Sequence, residues 1–274
     1  MRVVGERMQV EEDFVDVTGG RVFVCRWIPH GTAGVAPVVL LHDSLGCVDL
    51  WRGFPAALAE RLERPVIAYD RLGFGRSSAR AGLPSPAFIR EEADTGFPEV
   101  ARALGLDRFA LFGHSVGGVM ALFIAASQSS ACERVVTEAA QAFVEQRTVE
   151  GIRAARDNFR DPGQFARLVR WHGDKAGWVL EAWTQTWLSP AFADWRLDDH
   201  LGPLECPVLV VHGDRDEYGS LAFPERIVAC AGPRARQAIL EDCGHVPHRE
   251  QPERLLRAVA GFFADPDAER SSVG

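Results

Sequence analysis

Four short apolar runs, Pro37–Leu41, Pro65–Tyr69, Phe109–Gly113 and Arg134–Thr137, leave few folds open to this chain. Each is rich in Val, Ile, Leu or Phe and hardly alternates, which is the pattern of a strand buried on both faces of a parallel sheet. Between them lie helical patterns. Phe54–Glu63 carries an apolar stripe at Phe54, Leu58 and Leu62, and Phe97–Leu104 and Val116–Ala126 also read as helices. Strand alternating with helix implies a doubly wound α/β sheet. Ahead of these runs, Phe14–Val17, the turn Thr18-Gly19-Gly20 and Arg21–Trp27 predict a β-hairpin.

The alternation stops near Ala140. From there to about Leu204 the sequence offers helical segments and no clear strand, and five of the seven tryptophans fall in this block. Strand signals return at Pro207–His212 and Arg236–Leu240, and an amphipathic helix, Pro252–Phe263, follows them. The polar tail Ala264–Gly274 is expected to fray. At 274 residues the chain can form one large core or two modest domains.

A net charge of −8 argues against a nucleic-acid partner, which calls for a basic patch. The longest apolar stretches are far short of a membrane span. Met1–Val10 lacks the apolar core of a secretory signal. The cysteines Cys25, Cys47, Cys132, Cys206, Cys230 and Cys243 show no C-x-x-C spacing, so they read as reduced thiols rather than a disulfide framework or a zinc site. The expected setting is cytoplasmic, without membrane attachment.

One segment carries chemistry. Phe109–Phe112 runs into Gly113-His114-Ser115-Val116-Gly117-Gly118, a G-x-S-x-G pattern with a strand before it and a helix after it. A serine on so sharp a turn needs small neighbours two positions away on either side, and Gly113 and Gly117 supply them. The turn exposes the hydroxyl and makes the Val116 N–H a donor for a developing oxyanion. A serine needs a base to take its proton, and in this context the chain order is serine, acid, histidine. Downstream, Pro207–His212 leads into Gly213-Asp214-Arg215-Asp216-Glu217, and the last strand leads into Cys243-Gly244-His245-Val246-Pro247-His248.

These stretches, with Leu40-Leu41-His42 and Asp70-Arg71-Leu72-Gly73-Phe74-Gly75-Arg76-Ser77, resemble the α/β-hydrolase family over nearly the whole chain. The resemblance implies a mostly parallel eight-stranded sheet formed by residues 1–139 and 205–274, with a helical cap, residues 140–204, inserted after the sixth strand. It implies Ser115 as nucleophile, Asp216 as acid and His245 as base, with Asp214 and His248 as the competing neighbours. It also places an oxyanion loop at His42-Asp43-Ser44-Leu45-Gly46, with the Ser44 N–H as second donor. Asp43 stands where many relatives have glycine, and it is expected to point outward or to tie the loop down.

Some members of this fold carry the acid after the sixth strand, so Glu138 reads as a backup acid, a polar group lining the pocket or a solvated loop residue. His114 and the cap residues Trp171, Trp178, Trp183 and Trp187 are further candidates for substrate contact. Packing is the competing reading for the tryptophans and for His114, which can also sit beneath the elbow. Arg170, His172, Asp174 and Lys175 read as surface charge or as polar contacts to substrate.

A serine at the elbow argues against the dehalogenases and epoxide hydrolases of this fold, which use aspartate. Ser44-Leu45-Gly46 differs from the Gly-Pro-Gly loop of carbon–carbon hydrolases. Val119 stands where the menaquinone-pathway synthases place arginine. The expected activity is hydrolysis of a small acyl substrate, a carboxylic ester first, by a monomer or homodimer that needs no metal or organic cofactor. Carbon–carbon hydrolase, lyase and thioesterase chemistry stay open, as does a small-molecule receptor with slow turnover.

Overall fold

In the computed structural model, which describes residues 2–3, 8–199 and 201–265, eight strands form one sheet. They are β1 (Met8–Val17), β2 (Gly20–Pro29), β3 (Val38–Leu41), β4 (Val66–Tyr69), β5 (Phe109–His114), β6 (Cys132–Glu138), β7 (Val208–Gly213) and β8 (Ala235–Leu240). Their order is β1-β2-β4-β3-β5-β6-β7-β8, and a two-residue strand, Arg2–Val3, extends the β1 edge. The predicted hairpin pairs Val17 with Gly20 and Met8 with Pro29. β2 runs antiparallel to β4, and the strands from β4 to β8 are mutually parallel.

The unbroken apolar runs have a direct explanation. Val39, Leu41, Ile67, Leu111, Val135 and Val210 face one apolar cluster, while Val38, Leu40, Val66, Phe112, Val136 and Leu209 face another. Alternate residues of each strand therefore serve opposite faces, and helices cover both. α1 (Phe54–Leu62) and the C-terminal α9 (Pro252–Phe263) pack on the second face.

The helix predicted to begin at Phe97 is the last part of a longer one. Phe88–Glu91, a π turn at Glu92–Gly96 and Phe97–Leu104 form one continuous helix, α2. Pro98 resembles a helix start because it lacks an N–H; within a helix, that missing donor is accommodated by the widened turn just before it. α3 (Val116–Ser127) follows β5 and is buried from Val116 through Ala125.

Between β6 and β7 the chain forms α4 (Gln146–Asn158), α5 (Pro162–His172) and α6 (Ala176–Trp187). Among the described residues, its one extended pairing is an isolated bridge, Phe143 to Arg196. α7 (Ala222–Ala231) covers β7 and β8, and a short helix, α8 (Pro247–Glu250), precedes α9. No helix among the described residues is long and apolar enough to cross a membrane. The polar tail lies outside the described residues from position 266.

Candidate active site

Ser115 sits between β5 and α3 with φ 56° and ψ −125°, a conformation that costs a non-glycine residue free energy. The turn is held by the Ser115 N–H donating to the Glu138 carbonyl (2.8 Å) and by the Gly118 N–H donating to the Ser115 carbonyl (2.9 Å). A Cβ at Gly113 would collide with the Gly117 carbonyl, and one at Gly117 with the Leu41 carbonyl. The strand–helix crossing is thus closed to any larger residue at either position.

The loops after β7 and β8 bring Asp216 and His245 to this turn. His245 Nε2 lies 3.1 Å from Ser115 Oγ, and Nδ1 lies 2.8 Å from Asp216 Oδ2. Asp216 Oδ1 accepts from the N–H groups of Tyr218 (2.7 Å) and Gly219 (3.1 Å), so the carboxylate is fixed at both oxygens. Burial pushes its pKa up, but the neighbouring His245, their hydrogen bond and His212 outweigh that and hold it below the usual carboxylate value. Asp216 is ionised, so His245 Nδ1 is the ring's donor and Nε2 its acceptor.

A fourth side chain completes this line, and no motif in the sequence marked it. Gln141 Nε2 donates to Ser115 Oγ at 2.9 Å, while Gln141 Oε1 is buried without a partner among the described residues. Because the amide donates to an Oγ lone pair, the serine's own proton is directed to His245 Nε2.

The loop after β3 is pinned from several directions. The Arg71 N–H donates to His42 Nε2 (3.2 Å), so Nδ1 carries the ring proton and donates to the Asp43 carbonyl (2.8 Å). Arg71 Nη2 donates to the same carbonyl at 2.7 Å. Across the trans peptide, the Ser44 N–H points the opposite way. The Asp43 side chain accepts from the Leu45 N–H (2.8 Å) and faces His114 Nδ1 (3.2 Å); it ties the loop down, as one of the two sequence expectations had it. From α5, His172 accepts from the Gly75 N–H (2.9 Å) and reaches the Leu45 carbonyl (3.0 Å). His172 is therefore a buried bridge between loops rather than surface charge.

Two cavities meet here. The smaller, about 220 Å³, exposes Ser115, His245, Ser44 and Gln141 to walls of Ile152, Trp183 and Trp187. The larger, about 540 Å³, shares Ser44, Trp183 and Trp187, and adds Val116, Met120 and Trp178. Among the described residues, Trp187 Nε1 is buried with no partner. Trp171 lines neither cavity, and its ring lies beneath the Arg170 guanidinium. Glu138 is wholly buried and does not line them either: it accepts from the His248 N–H (2.5 Å) and faces His248 Nδ1 (2.8 Å). Asp214 accepts from the Cys243 N–H at the base of the His245 loop.

Residues 38–258 match the alpha/beta hydrolase family. Proline iminopeptidase of Heyndrickxia coagulans is 26% identical to this chain, over 92% of the chain and 98% of that protein. Esterase YbfF of Escherichia coli (strain K12) is 23% identical, over 84% and 94%. The enol-lactonase of Burkholderia xenovorans LB400 superimposes with a TM-score of 0.72 at 21% identity, over 92% of this chain and all of that one. The chain belongs to the alpha/beta hydrolase family, and it is a hydrolase of that family.

Proposed function

We propose that this chain is a serine hydrolase that cleaves carboxylic esters through a covalent acyl-enzyme. The observation behind this reading is the unbroken line from Asp216 through His245 to Ser115, with contacts of 2.8 and 3.1 Å opening into a cavity. Ser115 Oγ attacks the ester carbon while His245 Nε2 takes its proton. The bond to the leaving oxygen breaks, and that proton passes to the departing alcohol. A water then gives its proton to His245 and its oxygen to the acyl carbon. The acid leaves, and Ser115 recovers its hydrogen. Asp216 holds the Nδ1–H tautomer and stabilises the imidazolium that forms twice per cycle. Every step uses side chains, backbone and water.

Negative charge on the former carbonyl oxygen falls to the N–H groups of Val116 and Ser44, and one such donor is worth roughly 3–4 kcal/mol. Arg71 acts on this hole through the peptide it pins. Arg71→Met is expected to lower kcat by about 10- to 100-fold with KM little changed, as read by steady-state ester hydrolysis. A change confined to KM would place Arg71 in ground-state binding instead.

In this reading residues 140–204 form a cap over the site, and Trp178, Trp183 and Trp187 wall an apolar part of the substrate. The cavity sizes suit a small or medium ester rather than a polymer. A fluorophosphonate probe together with a panel of p-nitrophenyl esters, thioesters, a prolyl anilide and vinylogous diketones tests the assignment. Labelling at Ser115 with ester turnover is expected. Turnover of the diketone alone, or of the anilide alone, would replace the ester assignment.

A further inference from the structure

His114 precedes the nucleophile and is 2% exposed, yet none of the steps above uses it. Its Nε2 lies 2.8 Å from the carbonyl oxygen of His245. Its Nδ1 lies 3.2 Å from Asp43 Oδ2. A carbonyl and a carboxylate both accept, and the neutral ring has only one N–H to give. A neutral His114 would turn a lone pair on either the carboxylate or the carbonyl.

We infer that His114 is a buried imidazolium at neutral pH that joins the oxyanion loop to the loop carrying His245, and so sets the spacing between hole and base. It is a positioning residue. The charge follows from these two contacts and from an ionised Asp43, whose pKa is held low by His114, His42 and the Leu45 N–H against the effect of burial, whereas its effect on rate rests on the serine-hydrolase reading above.

The surroundings are consistent with a cation. The carboxylates of Asp43 and Glu138 face the ring, and the rings of His245 and His248 stand 5.1 Å from it, centroid to centroid. Trp51 covers it at 6.2 Å. Burial holds His248 below the ordinary histidine value, against the pull of Glu138, so it adds no second positive charge. Arg249, on α8, acts on the same two carboxylates. Burial lowers the His114 pKa, but the hydrogen bond to Asp43 and the charges of Glu138 and Asp43 outweigh it and raise it to about 9.

His114, Glu138 and His248 bring donor atoms within 4.8 Å of one another, a spacing that could suit a metal. Here those atoms are engaged with each other, with Asp43 and with the His245 carbonyl, so the cluster works as a hydrogen-bond network.

The sign of the pH effect follows. The two-loop link is complete below the His114 pKa and is lost as pH rises through about 9. Deprotonation breaks either the tie to Asp43 or the tie to the His245 backbone. Asp43→Asn removes the need for charge. Its amide oxygen still accepts from the Leu45 N–H, while its amide nitrogen donates to a neutral Nδ1.

Nitrogen-15 NMR of the full chain reads the ring directly, and the rate of Ser115 labelling by a fluorophosphonate reads the consequence from about pH 7 to about pH 10. Both His114 nitrogens should be protonated at about pH 7 in the wild type, and only one in Asp43→Asn. Wild-type labelling should fall about ten-fold through pH 9. In Asp43→Asn that fall should vanish, whatever the height of the plateau. A singly protonated ring in the wild type, labelling with no alkaline fall, or the same fall in both proteins would overturn the inference. So would a stoichiometric metal held by His114, Glu138 and His248. If the wild type labels at no pH, the serine-hydrolase reading fails, and the NMR arm still decides the charge of His114.

Discussion

Ser115→Ala should abolish ester turnover, with kcat falling by about six orders of magnitude, because the loss of a triad nucleophile leaves only the binding and oxyanion contributions. The fold should survive. The alanine keeps the same strained backbone, and the change removes only contacts from His245 and Gln141. Circular dichroism and thermal unfolding check the second point, and p-nitrophenyl ester hydrolysis checks the first. A folded variant that kept its rate would take the chemistry away from Ser115.

Asp216→Asn should cost about 10⁴ in kcat, whereas Glu138→Gln should cost no more than about ten-fold. The reason lies in which oxygen is already committed. Asp216 Oδ1 accepts two backbone N–H groups, so an asparagine places its oxygen there and turns its NH₂ toward His245 Nδ1. That donor forces the ring proton onto Nε2, where it can no longer accept from Ser115. Glu138 instead holds His248, so its neutral substitute disturbs a neighbour of the site rather than the base. The reverse ranking would move the acid to the end of β6. Backbone chemical shifts around Asp216 in the asparagine variant give an independent check that its loop is unmoved.

The line Ser115, His245, Asp216 was legible in the sequence because each member sits in a segment whose backbone restricts its neighbours. Gly113 and Gly117 flank a crossing that accepts no Cβ, and the other two residues lie in the loops that follow the strands ending at Gly213 and Leu240. The strands themselves were legible because Val38–Leu41, Val66–Tyr69 and their counterparts are buried on both faces. The groups that support the site were not legible. Gln141 lies in an irregular loop after β6, and nothing in Ala140-Gln141-Ala142 distinguishes it from any polar loop residue. The pairing of Glu138 with His248 joins residues 110 positions apart, and no local pattern encodes it. The two-way grip on Asp43 likewise depends on Arg71 and His114, whose motifs explain their presence but not their partners. The first part of α2 was hidden for a different reason: a proline that usually opens a helix lies inside this one.

The loop of residues 42–46 draws its anchors from far along the chain: Arg71, His114 and His172 reach it from 28, 71 and 127 residues away. Closing such separations carries a loop-entropy cost that the turns of a local helix do not. A chain that ends before His172 lacks the side chain that meets the Leu45 carbonyl. A half-made polypeptide that stops there holds Ser115 beside an unfinished loop, and it also lacks Asp216 and His245.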